Sequence, residues 1–182
     1  WIGAANCGLK DARYIPPNVE DMERNLSDLE RYLNEDESYD PLIRASLIHY
    51  QFETIHPFLD GNGRIGRMLI ILYIMQQKLL SKPVLYVSYY LKKNQLEYYD
   101  RMAEIRKNGN YEQWVKFFLR SIAESAKDSV NMAYQLSSLH NQHLSMILED
   151  KRSNHDLKTL LEYIEQHPIM DIQHVSAALS MS

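Results

Sequence analysis

The sequence predicts an all-α protein with a short β-hairpin flap at its N-terminus and a helical extension at its C-terminus. Three observations carry this. There are only six glycines in 182 residues. Apolar residues recur at spacings of three and four nearly everywhere. Only residues 1–17 depart from that pattern: Trp1-Ile2-Gly3 and Arg13-Tyr14-Ile15 flank a small, glycine-containing middle suited to a hairpin or an irregular flap.

Pro16-Pro17 ends the flap, and Asn18 is placed to cap the next element. Val19, Met22, Leu26, Leu29 and Leu33 form one stripe of a helix ending near Asn34. After a polar loop, Pro41 stands at a helix start, and Leu42, Ala45, Leu47, Ile48, Phe52 and Ile55 mark a more deeply buried helix. Pro57 forbids its continuation, which puts His56 at its end. A glycine turn follows, then a third helix from about Arg64 to Leu80. Val84 to Val87 is expected to be briefly extended. Ser88 is expected to cap a fourth helix running to Asn108-Gly109. A long helix, about Tyr111 to Glu149, is predicted to bury Trp114, Phe117, Phe118 and Ile122.

Lys151-Arg152-Ser153-Asn154 reads as a linker, so the domains expected are 1–149 and 150–182. In the second segment, Leu157, Leu160, Leu161 and Ile164 form a helix stopped by His167-Pro168, and Ile172 to Leu179 begins another. This pair resembles the opening of a winged-helix module without its third helix and wing. A generic helical extension is the alternative.

The 20 Lys+Arg against 24 Asp+Glu give a net charge of −4, which does not favour a nucleic-acid binder held by bulk charge. Cys7 stands alone, so neither an internal disulfide nor a multi-cysteine zinc site can form. That suits a reducing, cytoplasmic compartment. No stretch approaches 18 uninterrupted apolar residues, and no membrane partner is expected. The start at Trp1 and the end at Met181-Ser182 lead to the expectation of a piece of a longer protein.

The chemistry concentrates in residues 56–67, His-Pro-Phe-Leu-Asp-Gly-Asn-Gly-Arg-Ile-Gly-Arg. His56 is the one side chain there that takes up a proton near neutral pH, its unperturbed pKa being about 6.5. Its bland alternative is a helix-capping histidine, which the anion-suited turn just after it disfavours. Asp60 follows by four residues, but Pro57 and Gly61 deny the pair a shared helical face. A transition-metal pair therefore gives way to a hard-cation role, a carboxylate holding Mg²⁺ beside phosphate oxygens. Gly61 and Gly63 let phosphate approach the main chain, and Asn62 can donate through its amide. Arg64 and Arg67 are neighbours on the first helical turn, opposing the dipole and each other. That arrangement favours a bound polyanion. Gly66 reads as a close-packing residue, and His49 as a packed or hydrogen-bonded histidine rather than a second base.

With every defined position filled, the string resembles the signature of the Fic family, His-x-Phe-x-Asp/Glu-Gly-Asn-Gly-Arg-x-x-Arg. The Trp-Ile-Gly opening, Tyr14-Ile15-Pro16-Pro17 and Tyr98-Tyr99 add to the likeness over residues 1 to about 125. The resemblance implies a Fic-type helical bundle and a protein adenylyltransferase, moving AMP from ATP to a Ser, Thr or Tyr hydroxyl of a protein. By the same resemblance His56 is the base and Asp60 the Mg²⁺ ligand. Gly61, Asn62 and Gly63 cradle the phosphates with help from Arg64. Arg67 grips the γ-phosphate, Tyr98 and Tyr99 lie on the adenine side, and segment 1–17 is the flap that aligns the target peptide.

The expected partners are thus ATP and a hydroxyl-bearing protein, the chain itself included. A homo-oligomer stays open. So does DNA, should the winged-helix module be complete elsewhere. The inhibitory Ser/Thr-x-x-x-Glu-Gly/Asn string common among relatives does not occur in residues 1–182. An inhibitory helix would then lie outside this segment or be lost, and its loss would leave Arg67 free. Competing readings are a phosphoryl or phosphocholine transferase, a deAMPylase using the same loop, and a DNA-binding regulator with a vestigial core. A lysine tends to replace the second loop glycine in relatives that phosphorylate, so Gly63 favours AMP.

Overall fold

The computed structural model describes residues 10, 12–35, 38–149 and 154–179. Most of the predicted hairpin flap, residues 1–9 and 11, lies outside the described residues, as does most of the predicted linker at 151–154. Among the described residues there is no strand, and the all-α expectation holds.

The described residues form eight helices in order: α1 Val19–Glu35, α2 Pro41–Ile55, α3 Asn62–Gln76, α4 Val87–Lys93, α5 Gln95–Asn108, α6 Tyr111–Glu149, α7 Asn154–Gln166 and α8 Ile172–Leu179. The chain forms two compact units, residues 1–129 and 130–182.

In the first unit, side-chain caps start the first two helices. Asn18 Oδ1 accepts from the Asp21 N–H at 2.9 Å and caps α1. Asp40 Oδ1 accepts from the Leu42 N–H at 2.9 Å, with Pro41 at the first helical position of α2. The end of α1 is closed by a buried arginine. Arg44 Nη2 donates to the Tyr32 carbonyl at 2.8 Å, and its guanidinium lies 5.4 Å from the Tyr32 ring and 5.5 Å from the Tyr73 ring. A cation at a helix C-terminus meets the negative end of the dipole and the unpaired carbonyls at once.

The core is the α2–α3 pair with α6 laid against it. Ile48, Ile55, Ile70, Tyr73, Trp114 and Phe118 are its most buried large side chains. Trp114 is fully buried, and its indole N–H donates to the Ser46 carbonyl at 3.0 Å, pinning α6 to α2. His49 stacks beside it at 6.2 Å between ring centroids.

Two expectations change. The third helix ends at Gln76 rather than near Leu80, and the predicted fourth helix is two. It breaks at Asn94, whose N–H and side-chain amide both donate to the Tyr90 carbonyl, at 3.0 and 2.9 Å. Local side-chain bonding of this kind competes with helix propagation. Ser88 is not the cap of α4, which starts at Val87 after Tyr86.

The second unit holds the end of α6 with α7 and α8. Leu161 is its buried apolar residue among those described, and His140 Nδ1 lies 2.8 Å from Glu165 Oε1. Asp171 Oδ1 accepts from the His174 N–H at 2.8 Å at the start of α8. Among the described residues no helix is long and apolar enough to cross a membrane.

Candidate active site

The turn between α2 and α3 is held in a strained and closely specified shape. His56 ends α2 in the left-handed conformation, φ 51° and ψ 56°, with its N–H on the Phe52 carbonyl at 3.0 Å. Glycine is the usual occupant of such a position, because a Cβ there costs about 1–2 kcal/mol. Holding a histidine there is a strain that a purely structural turn would not need. Its side chain is half-buried, and Nδ1 is enclosed without a hydrogen-bond partner. Burial pushes the imidazole pKa below its ordinary value, with the Glu53 main-chain carbonyl working the other way. The ring is therefore neutral at pH 7 and free to accept a proton.

Asn62 organises the rest of the turn. It is 2% exposed; its Oδ1 accepts from the Phe58 N–H at 2.9 Å, and its Nδ2 donates to the Phe58 carbonyl at 2.6 Å. Its side chain thus clamps the loop, leaving its main-chain N–H to face an anion. The N–H groups of Asn62 and Gly63 open α3 and have no acceptor within it, as at every helix start. Gly61 precedes them at φ 88°, a left-handed position suited to glycine.

Asp60 is on the outside. Its side chain is 93% exposed; Oδ1 accepts from the Gly61 N–H at 2.6 Å, and Oδ2 pairs with Arg64 Nη2 at 3.1 Å. Among the described residues no group of three or more His, Cys, Asp and Glu could hold a metal unaided. A single exposed carboxylate beside an anion cradle suits Mg²⁺, which takes one or two carboxylates and completes its shell with phosphate and water oxygens.

Arg67 lies beside Gly63 of the turn and reaches across to α4. Its Nε donates to Ser88 Oγ at 3.1 Å. A Cβ at Gly63 would lie 3.0 Å from Arg67 Nη1, so the missing side chain leaves that guanidinium its room. Arg64 and Arg67 line an open cleft of about 990 Å³ together with Ser88, Gln95, Tyr98 and Tyr99. Tyr98 is buried, its hydroxyl 3.1 Å from Nε2 of His49. His49 is itself wholly buried, and desolvation lowers its pKa to about 4, so it stays neutral in the core. Tyr99 is half-buried under the Arg13 guanidinium, 4.5 Å from the ring centroid. Arg13 also pairs with Asp100 at 3.3 Å, and the Tyr14 hydroxyl donates to the Thr54 carbonyl at 2.7 Å. The described end of the flap segment is thereby fastened to α2 and α5.

The structure brings Arg64, Arg67, Tyr98 and Tyr99 to one cleft, with His56, Asp60, Gly61, Asn62 and Gly63 on the turn at its arginine end. Sequence reasoning missed Ser88, read as a cap, and Glu53, the one acid of α2, a turn before His56. A lone acid in a deeply buried helix was the available signal.

Residues 5–74 match the family model described as Fic/DOC family. The chain is 27% identical over 155 residues to "Protein adenylyltransferase Fic" of Drosophila virilis, covering 84% of this chain and 30% of that protein. It is 28% identical over 138 residues to the protein of the same name from Drosophila melanogaster, covering 75% of this chain and 26% of that one. The crystal structure of a Fic family protein from Desulfovibrio desulfuricans G20 superposes with a TM-score of 0.61 at 23% identity, covering 93% of this chain and 46% of that one. Over residues 5–74 the chain is thus similar to the Fic/DOC family. It spans about 30% of the length of the curated relatives it matches. The family match covers α1 to most of α3, so the turn with His56, Asp60 and both arginines lies inside the matched segment, while Tyr98 and Tyr99 lie beyond it.

Proposed function

We propose that this Fic domain is a protein adenylyltransferase, transferring AMP from Mg-ATP to a Ser, Thr or Tyr hydroxyl. The observation that carries the reading is the turn itself: a neutral histidine and the open N–H groups of a helix start share one short turn with two arginines that line a cleft of about 990 Å³. The printed names of the Drosophila relatives agree with it.

The chemistry is a displacement at phosphorus. The target oxygen forms a bond to the α-phosphorus, and the bond from that phosphorus to the oxygen bridging to the β-phosphate breaks. Pyrophosphate leaves with the electron pair, and the hydroxyl proton goes to the His56 imidazole. Such a transfer needs positioning and charge neutralisation more than covalent help. The N–H groups of Asn62 and Gly63 hold phosphate oxygens, Arg64 adds charge at the same place, and Arg67, fixed by Ser88, takes the terminal phosphate. Asp60 would hold Mg²⁺, which supplies neutralisation of the α- and β-phosphate charge when bound. Tyr98 and Tyr99 line the far end of the cleft, where an adenine ring stacks. A protein substrate, and self-modification of an exposed tyrosine, follow from the same reading, as does a cytoplasmic setting where ATP is plentiful.

Intact-mass spectrometry after incubation with Mg-ATP tests this. The proposed activity adds the mass of one or more AMP groups to the chain or to a co-incubated target, and His56→Ala abolishes the addition. Equal modification by both proteins, or none by either with any target tried, would defeat the proposal.

A further inference from the structure

The transfer chemistry above leaves one ionisable group beneath the phosphate turn unused. Glu53, on α2, presses against the first turn of α3. Its Oε1 is buried without a hydrogen-bond partner. A Cβ at Gly66 would collide with that oxygen, and a Cβ at Gly63 would lie 3.8 Å from it. The same point at Gly63 is 3.0 Å from Arg67 Nη1. The carboxylate and the guanidinium thus flank one spot on α3 while standing beyond ion-pair distance.

The other titratable groups around Glu53 are Tyr98 from α5 and, on α2 itself, His49 and His56. Both histidines have lowered pKa values and Tyr98 a raised one, so all three are uncharged near neutral pH. Among the described residues, Arg67 is therefore the one charge set against Glu53. Burial pushes the Glu53 carboxyl up to about 7, with Arg67 working against the rise.

We propose that Glu53 is a positioning residue of the phosphate site, balancing Arg67 in the free protein and taking up a proton from solvent when a nucleoside triphosphate claims that arginine. This rests on the nucleotide reading given above. A terminal phosphate on Arg67 withdraws the cation's support from the Glu53 carboxylate and adds a like charge beside it, and both effects favour the protonated form. By linkage, a ligand that favours protonation binds more weakly as pH rises through the titration of that group. A nucleotide without a terminal phosphate does not reach Arg67 and is spared the effect. The device needs glycine at 63 and 66, since side chains there would separate the two groups.

Calorimetric titration of the full chain with Mg-ATP and with AMP at pH 6, 7 and 8 reads the ligand side. Affinity for Mg-ATP is expected to fall several-fold from pH 6 to 8, bounded by about tenfold per unit for one proton. Affinity for AMP is expected to stay level. Glu53→Gln should flatten the Mg-ATP profile, and ionisation of ATP itself cancels in that comparison. Equal slopes in wild type and Glu53→Gln overturn the proposal while leaving the nucleotide reading intact. A second measurement needs no ligand. The Glu53 carboxyl carbon, followed by NMR in the free protein, is expected to titrate near neutrality and to move upward in Arg67→Met. An unmoved titration overturns the coupling. Absence of Mg-ATP binding by the wild type overturns the nucleotide reading instead, because the NMR arm still decides between coupled and uncoupled.

Discussion

His56 couples backbone strain to side-chain chemistry. Its left-handed backbone costs about 1–2 kcal/mol that glycine would not incur. His56→Gly is therefore expected to unfold at a temperature no lower than the wild type, with AMP transfer abolished. A clear drop in melting temperature would show that the imidazole is held for packing. The lowered pKa sets the pH profile as well. The base form persists below pH 6.5, so the acid limb of the transfer rate should lie under that value, and a midpoint above 6.5 would contradict it. At this scale the run from His56 to Arg67 was legible because the chain writes it contiguously. Asn62 was read as a phosphate donor, but its side chain is spent on the Phe58 main chain. Ser88 and Glu53 meet Arg67 across helices, and spacing along one segment carries no signal of that.

Helices α2 and α3 set the site because they approach closely at Gly66. A Cβ there would run into Glu53 Oε1 and lie 3.2 Å from the Phe52 ring, so Gly66→Ala is expected to cost about 1–3 kcal/mol in denaturant unfolding. A neutral effect would mean that the two helices yield easily. The buried His49 makes α2 sensitive to acid. Its pKa in the fold, about 4, lies below the unfolded value of about 6.5, so the unfolded chain takes the proton first. The stability it contributes is complete above pH 6.5 and is lost as pH falls toward 4. Glu53, raised to about 7, acts with the opposite sign, losing stability as pH rises toward 7. Comparing wild type with His49→Gln isolates the histidine: the stability difference should shrink by about 2 kcal/mol from pH 7 to pH 5. Helix existence was legible from apolar spacing nearly throughout. The break at Asn94 was not, because Leu91, Tyr98, Met102 and Ile105 keep helical spacing across it while Asn94 bonds back to Tyr90.

Across the whole chain, the proposed reading draws its base, cation ligand and anion cradle from the segment that matches the Fic/DOC family, and the helices after it line the cleft with Tyr98 and Tyr99. The net charge of −4 and the two short helices at the C-terminal end give no independent argument for DNA as the partner. The central claim is the identity of the transferred group, and ATP labelled at one phosphate at a time reads it directly. With Mg²⁺ and the wild-type chain, label from the α-phosphate should become covalently attached to protein while label from the γ-phosphate leaves as pyrophosphate, and His56→Ala should retain neither. Attachment of the γ-label alone would make this a phosphoryl transferase and contradict the account.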